Sequence, residues 1–166
     1  TFIRGLYSGG TLCDEALFLF DKNGIKVYSN IPLKPELKLK DANISFENTL
    51  VDLGDDEFTK GRPHPMIDYT LRCERLVKEA SDKDTGIILL DIVTGFGSHP
   101  TPQQPLAEAI KKAKTKNKNL IFIASICGTK FDKQNISEIT ETLEKLGVII
   151  MPTNAQAVKL ITKIIK

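Results

Sequence analysis

Short runs of Ile, Val and Leu alternate along this chain with segments whose apolar residues recur at helical spacing. The runs Phe2–Ser8, Leu50–Gly54, Gly86–Val93, Leu120–Ile126 and Val148–Pro152 predict strands. Each is continuously apolar, as expected of a strand covered on both faces. Between them, Leu12, Ala16 and Leu19 line a first helix. Met66–Ala80 carries a second, and Leu106 and Ile110 mark a third that opens after Pro102 and Pro105. Ile136, Ile139, Leu143 and Leu146 form a stripe that stops at Gly147, and Val158, Ile161 and Ile165 form the last. Strand and helix taken in turn imply a parallel sheet with helices on both faces.

Lys22–Asn48 breaks the rhythm. Asn23-Gly24 is a hairpin-type turn signal, and prolines and lysines follow it. Ile25 and Val27, then Ile44 and Phe46, alternate with polar residues. The segment reads as an insertion carrying a small hairpin, or one or two short edge strands. Lys111–Lys118 reads as a solvated helix end rather than a binding patch.

Length and composition narrow the function classes. The 166 residues suit one domain with a substantial core, residues 1–166, and 41% hydrophobic with 27% charged residues is ordinary for a soluble protein. A net charge of +2 gives no reason to expect nucleic acid or an anionic membrane surface. No apolar run is long enough to span a bilayer. Thr1 is not a natural start, so the chain reads as a fragment, with any targeting signal lying upstream. Cys13, Cys73 and Cys127 are an odd number at unrelated spacings and form no CxxC pair, which points to a reduced, cytoplasmic protein.

In an open parallel sheet, ligands sit at the carboxyl ends of the strands. Ser8-Gly9-Gly10-Thr11 follows the first strand and opens a helix. Its glycines allow close backbone approach and positive φ, and Thr11 is a candidate cap. Unpaired first-turn amides and the helix dipole then favour a phosphate or carboxylate there. Lys60-Gly61-Arg62-Pro63-His64-Pro65 follows the second strand, Gly95-Phe96-Gly97-Ser98-His99 the third, Cys127-Gly128-Thr129 the fourth and Pro152-Thr153-Asn154 the fifth. Each has a plainer use. His64 could cap the helix near Met66, and His99 could be a surface loop residue. Asp91 could cap a helix or hydrogen-bond to a neighbouring loop, and Cys127 reads as a small buried hydrophobe. Gly95-Phe96-Gly97 lacks the third glycine of a dinucleotide fingerprint, the full P-loop pattern is absent, and no spacing reads as a metal site.

Gly5-Leu6-Tyr7-Ser8-Gly9-Gly10-Thr11-Leu12-Cys13-Asp14-Glu15-Ala16 resembles the Ser-x-Ser-Gly-Thr-Leu-x-x-Glu-Ala segment of the succinyl-CoA synthetase alpha subunit, in its second, flavodoxin-like ligase domain. The likeness continues through Gly61…Ile67-Asp68 and Gly86-Ile87-Ile88-Leu89-Leu90. A closer resemblance is to the FdrA family, an alpha-subunit-like branch of acyl-CoA synthetases. It rests on Gly61-Arg62-Pro63-His64-Pro65-Met66-Ile67-Asp68, Gly95-Phe96-Gly97-Ser98-His99-Pro100, Cys127-Gly128-Thr129 and Met151-Pro152-Thr153-Asn154-Ala155-Gln156-Ala157. The synthetase carries a phosphorylated histidine in a Gly-His-Ala-Gly loop after its fourth strand. Here Cys127–Asn135 stands in that place without histidine, so a phosphohistidine relay does not carry over.

The resemblance implies a flavodoxin-like three-layer α/β fold with a five-stranded parallel sheet in the order 2-1-3-4-5. It implies acyl or carbamoyl phosphate chemistry in a carbamoyltransferase-like or ligase subunit. Partner subunits or a homodimer belong to that expectation, and CoA or nucleotide would bind through a missing N-terminal domain. This fragment would hold phosphate or acyl phosphate and no tight cofactor of its own. Ser8, Gly9, Gly10, Thr11, Gly61, Arg62, Gly128, Thr129 and Asn154 are the expected binding residues, and His64, Asp91 and His99 the expected catalytic ones. The competing expectation is a non-catalytic assembly module that docks partner subunits. A flavin site, suggested by fold alone, is disfavoured by the absence of Trp and the scarcity of aromatic residues in the loops.

Overall fold

The computed structural model describes residues 1–166. Its strands are β1 (Phe2–Tyr7), β2 (Tyr28–Ser29), β3 (Thr49–Asp52), β4 (Thr85–Val93), β5 (Ile121–Cys127) and β6 (Val148–Met151). Its helices are α1 (Gly10–Lys22), α2 (Asp56–Thr59), α3 (Thr70–Glu79), α4 (Gln103–Lys116), α5 (Ile136–Glu144) and α6 (Asn154–Ile165). All strand pairs are parallel, in the order β2-β3-β1-β4-β5-β6. With β2 set aside, the core strands follow the expected 2-1-3-4-5 order.

Both faces of the sheet are apolar because both are covered. Ile3, Tyr7, Leu50, Leu89 and Ile123 pack beneath α1 and α6 with Phe20 and Ile161. Leu6, Val51, Ile88, Leu90 and Phe122 pack on the other side with Leu76, Leu106, Ile110 and Leu143 of α3, α4 and α5. This three-layer arrangement brings the loops after β1, β3, β4 and β5 to one edge.

The insertion differs from the expected hairpin. Asn23-Gly24 ends α1: Gly24 has φ +74°, its amide donates to Asp21, and the Ile25 amide reaches back to Phe20. The chain then runs outward, turns through a 3₁₀ segment at Pro35–Leu37 and contributes β2, which pairs parallel to β3. That parallel edge strand is the sixth strand. Ile44 and Phe46 lie outside any strand, exposed. α3 starts at Thr70 rather than Met66, because residues 64–68 form a turn on the His64 carbonyl and the Asp68 carboxylate accepts from the Thr70 amide.

Three arginines are buried, which composition does not foretell. Arg4 on β1 donates Nε to Glu79 at 2.9 Å and Nη2 to Asp82 at 2.8 Å. Arg75 pairs with the other oxygen of Glu79 and donates to the Ala42 carbonyl and the Ser45 hydroxyl, both at 2.9 Å. Glu79 thus neutralises two guanidinium groups that clamp the insertion onto α3 and β1. Removing one partner of a buried pair leaves an uncompensated charge, at a cost of about 3–5 kcal/mol. Glu79→Ala is therefore expected to lower unfolding free energy by about that much. Urea denaturation measures it, and a loss within error of zero would mean that Arg4 and Arg75 are solvated.

Candidate functional site

The chain leaves β1 for β3 on one side of it and later places β4 on the other, so the gap between β1 and β4 is the switch point of the sheet. The Ser8–Thr11 turn opens there. Gly9 is the N-cap of α1 and makes no side-chain cap bond; Thr11 sits exposed in the first turn and is not the cap. No glycine of this turn has positive φ; Gly9 is extended at −165°. The glycines serve close approach instead. A Cβ on Gly9 would lie 3.2 Å from Met66 Cε, and one on Gly10 would lie 3.2 Å from Asp52 Oδ2.

Ser8 is fixed from below. Its amide donates to Asp91 Oδ1 at 2.9 Å and its hydroxyl to Oδ2 at 2.7 Å. Both residues are buried. Arg72 of α3, also buried, donates Nη2 to Asp91 Oδ1 at 2.7 Å and Nε to the Leu6 carbonyl at 3.0 Å. The Tyr69 ring covers that guanidinium, 5.4 Å from Cζ. Asp91 thus acts through Ser8, whose amide and hydroxyl are both turned inward.

From the β3 side come Asp52, Gly54 and His64. Asp52 Oδ1 accepts from the Gly54 amide at 2.8 Å. Burial raises the Asp52 pKa above the usual carboxylate value; the Gly54 hydrogen bond opposes this, Asp55 and Asp91 add to it, and His64 opposes it. A Cβ on Gly54 would meet His64 Nε2 at 2.7 Å, the Ser8 carbonyl at 2.8 Å and Asp52 Oδ1 at 3.1 Å, so these three groups surround one point. His64 Nδ1 accepts from the Met66 amide at 3.2 Å, which puts the proton of the neutral ring on Nε2. The capping role foreseen for His64 is thus met in a turn, not at a helix.

The loops after β4 and β5 are bound to each other. Gln134, buried, accepts from the Gly95 amide and donates to the carbonyls of Gly95, Ser98 and His99. Asp132 takes the Thr94 hydroxyl at 2.6 Å and the Thr129 amide at 2.7 Å on Oδ2, and the Thr129 hydroxyl at 3.1 Å on Oδ1. Gly128 has to be glycine, since a Cβ would fall 1.8 Å from Thr94 Oγ1. Cys127 is exposed, contrary to the buried role expected, because β5 ends there and the chain turns out into solvent.

Ser8, Gly9, Gly10, His64 and Asp91 therefore come together at the switch point. Other candidates stand apart. His99 accepts from the Thr101 amide on Nδ1, and its own amide donates to the Met66 carbonyl at 2.7 Å. Its ring faces Tyr69 and a hollow of about 500 Å³ between α3 and α4. Arg62 is exposed and lines a separate hollow with Pro63, Asp68, Thr70 and Leu71, beside Gly61 at φ +74°. Asn154 is occupied internally: it accepts from the Tyr7 hydroxyl and donates to the Leu12 carbonyl and Glu15. No three His, Cys, Asp or Glu side chains gather as a metal site would require. Asp52, Arg72, Asp132 and Gln134 were not singled out from the sequence; only the position of Asp52 at a strand end hinted at a role.

A family model described as CoA-ligase matches residues 6–164, nearly the whole of this sheet and its helices. The chain belongs to the CoA-ligase family. It is 46% identical over 154 residues to the uncharacterized protein YahF of Escherichia coli (strain K12), an alignment covering 90% of this chain and 30% of YahF. The chain thus spans less than a third of that relative's length. In this CoA-ligase domain the Ser8–Thr11 turn and the Cys127–Asn135 loop lie at the same sheet edge.

The Asp132 contacts yield a test. Hydrogen bonds from Thr94 and Thr129 hold its pKa below the usual carboxylate value. A depressed folded pKa means a stabilising contribution that is present above the unfolded pKa and lost as pH falls through the folded one. The Thr129 amide shift is expected to titrate only below the ordinary carboxylate range, and Asp132→Ala should abolish that titration and expose the amide to exchange at neutral pH. NMR pH titration reads both. Titration at an ordinary carboxylate value would sink the clamp.

Proposed function

We propose that this domain is the ligase-type part of an FdrA-like acyl-CoA synthetase or carbamoyltransferase, and that it binds an acyl or carbamoyl phosphate without a phosphohistidine. The observation that carries this reading is the α1 N-terminus: no cap side chain covers it, it lies at the switch point, and Asp91 holds it rigid through Ser8. Helix dipole and free amides make such a terminus a site for a phosphate or carboxylate group. Gly9 and Gly10 let the ligand reach the backbone, and His64 supplies an Nε2 proton donor beside them. Arg62, Gly61, Gly128, Thr129 and His99 belong to the flanking loops that would close over a larger substrate; Asn154 would act only by seating α6 against α1. CoA or nucleotide would bind outside this chain, in the remainder of a longer protein or in a partner subunit. Free cysteines suit a cytoplasmic setting, and no helix is long and apolar enough to cross a membrane.

The absence of a phosphohistidine has support in the imidazoles themselves. Both spend Nδ1 on a backbone amide, and the loop after β5 holds no histidine. The longer protein incubated with γ-labelled nucleotide triphosphate is expected to acquire no stoichiometric acid-labile label. Label on His64 or His99 would defeat this part of the reading.

The reading as a whole is tested by phosphorolysis. With partner subunits present, labelled phosphate should exchange into acyl or carbamoyl phosphate. Gly10→Val, which places branched bulk against Asp52 and over the first-turn amides, should reduce this at least about tenfold, the loss of roughly 1.4 kcal/mol of transition-state binding. His64→Asn should lower the maximal rate, and Arg62→Lys should raise the substrate requirement. Wild-type rates in all three would remove the site from this edge.

One observation favours the second reading, an assembly module. Phe96 (103% exposed) and Phe131 (86%) project from the two loops joined by Gln134 and Asp132. Exposed aromatics on a rigid loop pair suit contact with a partner subunit or a second copy. Phosphorolysis unaffected by Gly10→Val but lost on Phe96→Ser/Phe131→Ser, with dissociation of the complex, would favour this reading.

A further inference from the structure

The turn proposed to hold an anion has a carboxylate beside it. Asp52 is only 7% exposed, and its Oδ2 points at Gly10, the first residue of α1. Oδ1 is spent on the Gly54 amide; no donor in the structure reaches Oδ2. Asn30 holds the Asp52 backbone on both sides, accepting from its amide at 2.9 Å and donating to its carbonyl at 3.0 Å, and the Gly54 amide holds the carboxylate itself. An anion at the first-turn amides would lie against this oxygen. Two negative groups do not share such a place unless one of them carries a proton.

We infer that the Ser8–Thr11 site is proton-coupled: Asp52 is the specificity-determining residue that admits an anion only in its protonated form, and the neighbouring His64 opposes that protonation. This deepens the anion-site reading above and rests on it. The geometry puts Asp52 Oδ1, His64 Nε2 and the Ser8 carbonyl around Gly54, with Asp52 Oδ2 at the mouth of the helix. The other groups bearing on Asp52 are Asp55 and Asp91, both of which resist its ionisation, and Cys13 of α1, buried beneath it. Arg72 is engaged with Asp91 and so does not neutralise Asp52. Burial already disposes Asp52 to hold a proton nearer neutrality than an ordinary aspartate. An arriving dianion raises that tendency further, so binding takes up one proton: the carboxylate becomes a carboxylic acid whose O–H can donate to the bound anion. The site would thereby prefer ligands that profit from an acidic donor, such as a phosphate ester oxygen, over those requiring a cation.

Sulfate is the probe, because its charge does not change between pH 5 and 9 and any pH dependence belongs to the protein. ¹⁵N amide shifts of Gly9, Gly10 and Thr11 report its binding. In the unsubstituted protein affinity should fall by about tenfold per pH unit once Asp52 ionises, the slope of a one-proton linkage. Asp52→Asn keeps the bond to the Gly54 amide and should bind sulfate at least about tenfold more tightly at pH 8, since a charge at this range is worth more than 1.4 kcal/mol. Equal affinity of Asp52→Asn and the unsubstituted protein at pH 8, with sulfate bound by both, overturns the proton coupling and leaves the anion site standing. No shift at Gly9–Thr11 in either protein at any pH overturns the anion site itself, and the coupling with it.

Discussion

One buried ion pair sets the geometry of the carboxyl edge. Arg72 on α3 reaches under β1 and β4 and bonds the Leu6 carbonyl and the carboxylate of Asp91. That carboxylate then binds the amide and hydroxyl of Ser8. A helix on one face of the sheet is thereby tied to the start of a helix on the other, through the strands that separate them. Such a pair stabilises little in net terms, because desolvation of the two charges offsets their attraction. Its effect is positional: of the three hydrogen bonds that direct the Asp91 carboxylate, two come from Ser8 and fix its placement. The turn after β1 is held to a single conformation where a flexible glycine pair would otherwise wander.

Asp91, Asp52 and Asp132 follow a common pattern. Each carboxylate lies at a loop of this edge: Asp91 under the first turn, Asp52 beside Gly10 with a single amide donor, and Asp132 inside the Gly128–Thr129 loop. Asp132 accepts from two hydroxyls and an amide, the donor set an oxyanion would use. The loop that lacks a histidine is thus already filled by its own anion. This explains why Thr94 and Thr129 form a closed clamp on Asp132 rather than an open cradle.

The core strands were legible because burial on both faces leaves continuous apolar runs that no other element of that length produces. β2 was legible only as a short edge strand somewhere in the insertion, since two residues carry no period and their pairing depends on where the insertion lands. The Asn23-Gly24 signal was read as a hairpin because the same positive φ serves a helix terminus. At the site, Ser8, Gly9 and Gly10 were readable from composition and position. Arg72 and Gln134 were not: their partners lie 19 to 66 residues away, and a buried arginine looks the same in sequence as a solvated one. Arg62 lines a separate hollow, as charge next to a conspicuous histidine in sequence need not point the same way.

The separation of His64 from His99 follows from this architecture. The Met66 carbonyl receives the His99 amide, so the two loops are bonded back to back. One imidazole turns toward Gly54 and the helix terminus, the other toward Tyr69 and the hollow between α3 and α4. A mechanism that required both rings on one substrate would have to break that bond and the Gln134 contacts that hold Gly95, Ser98 and His99. Of the two imidazoles, His64 therefore stands beside the α1 turn with Asp52, and His99 lines the hollow between α3 and α4.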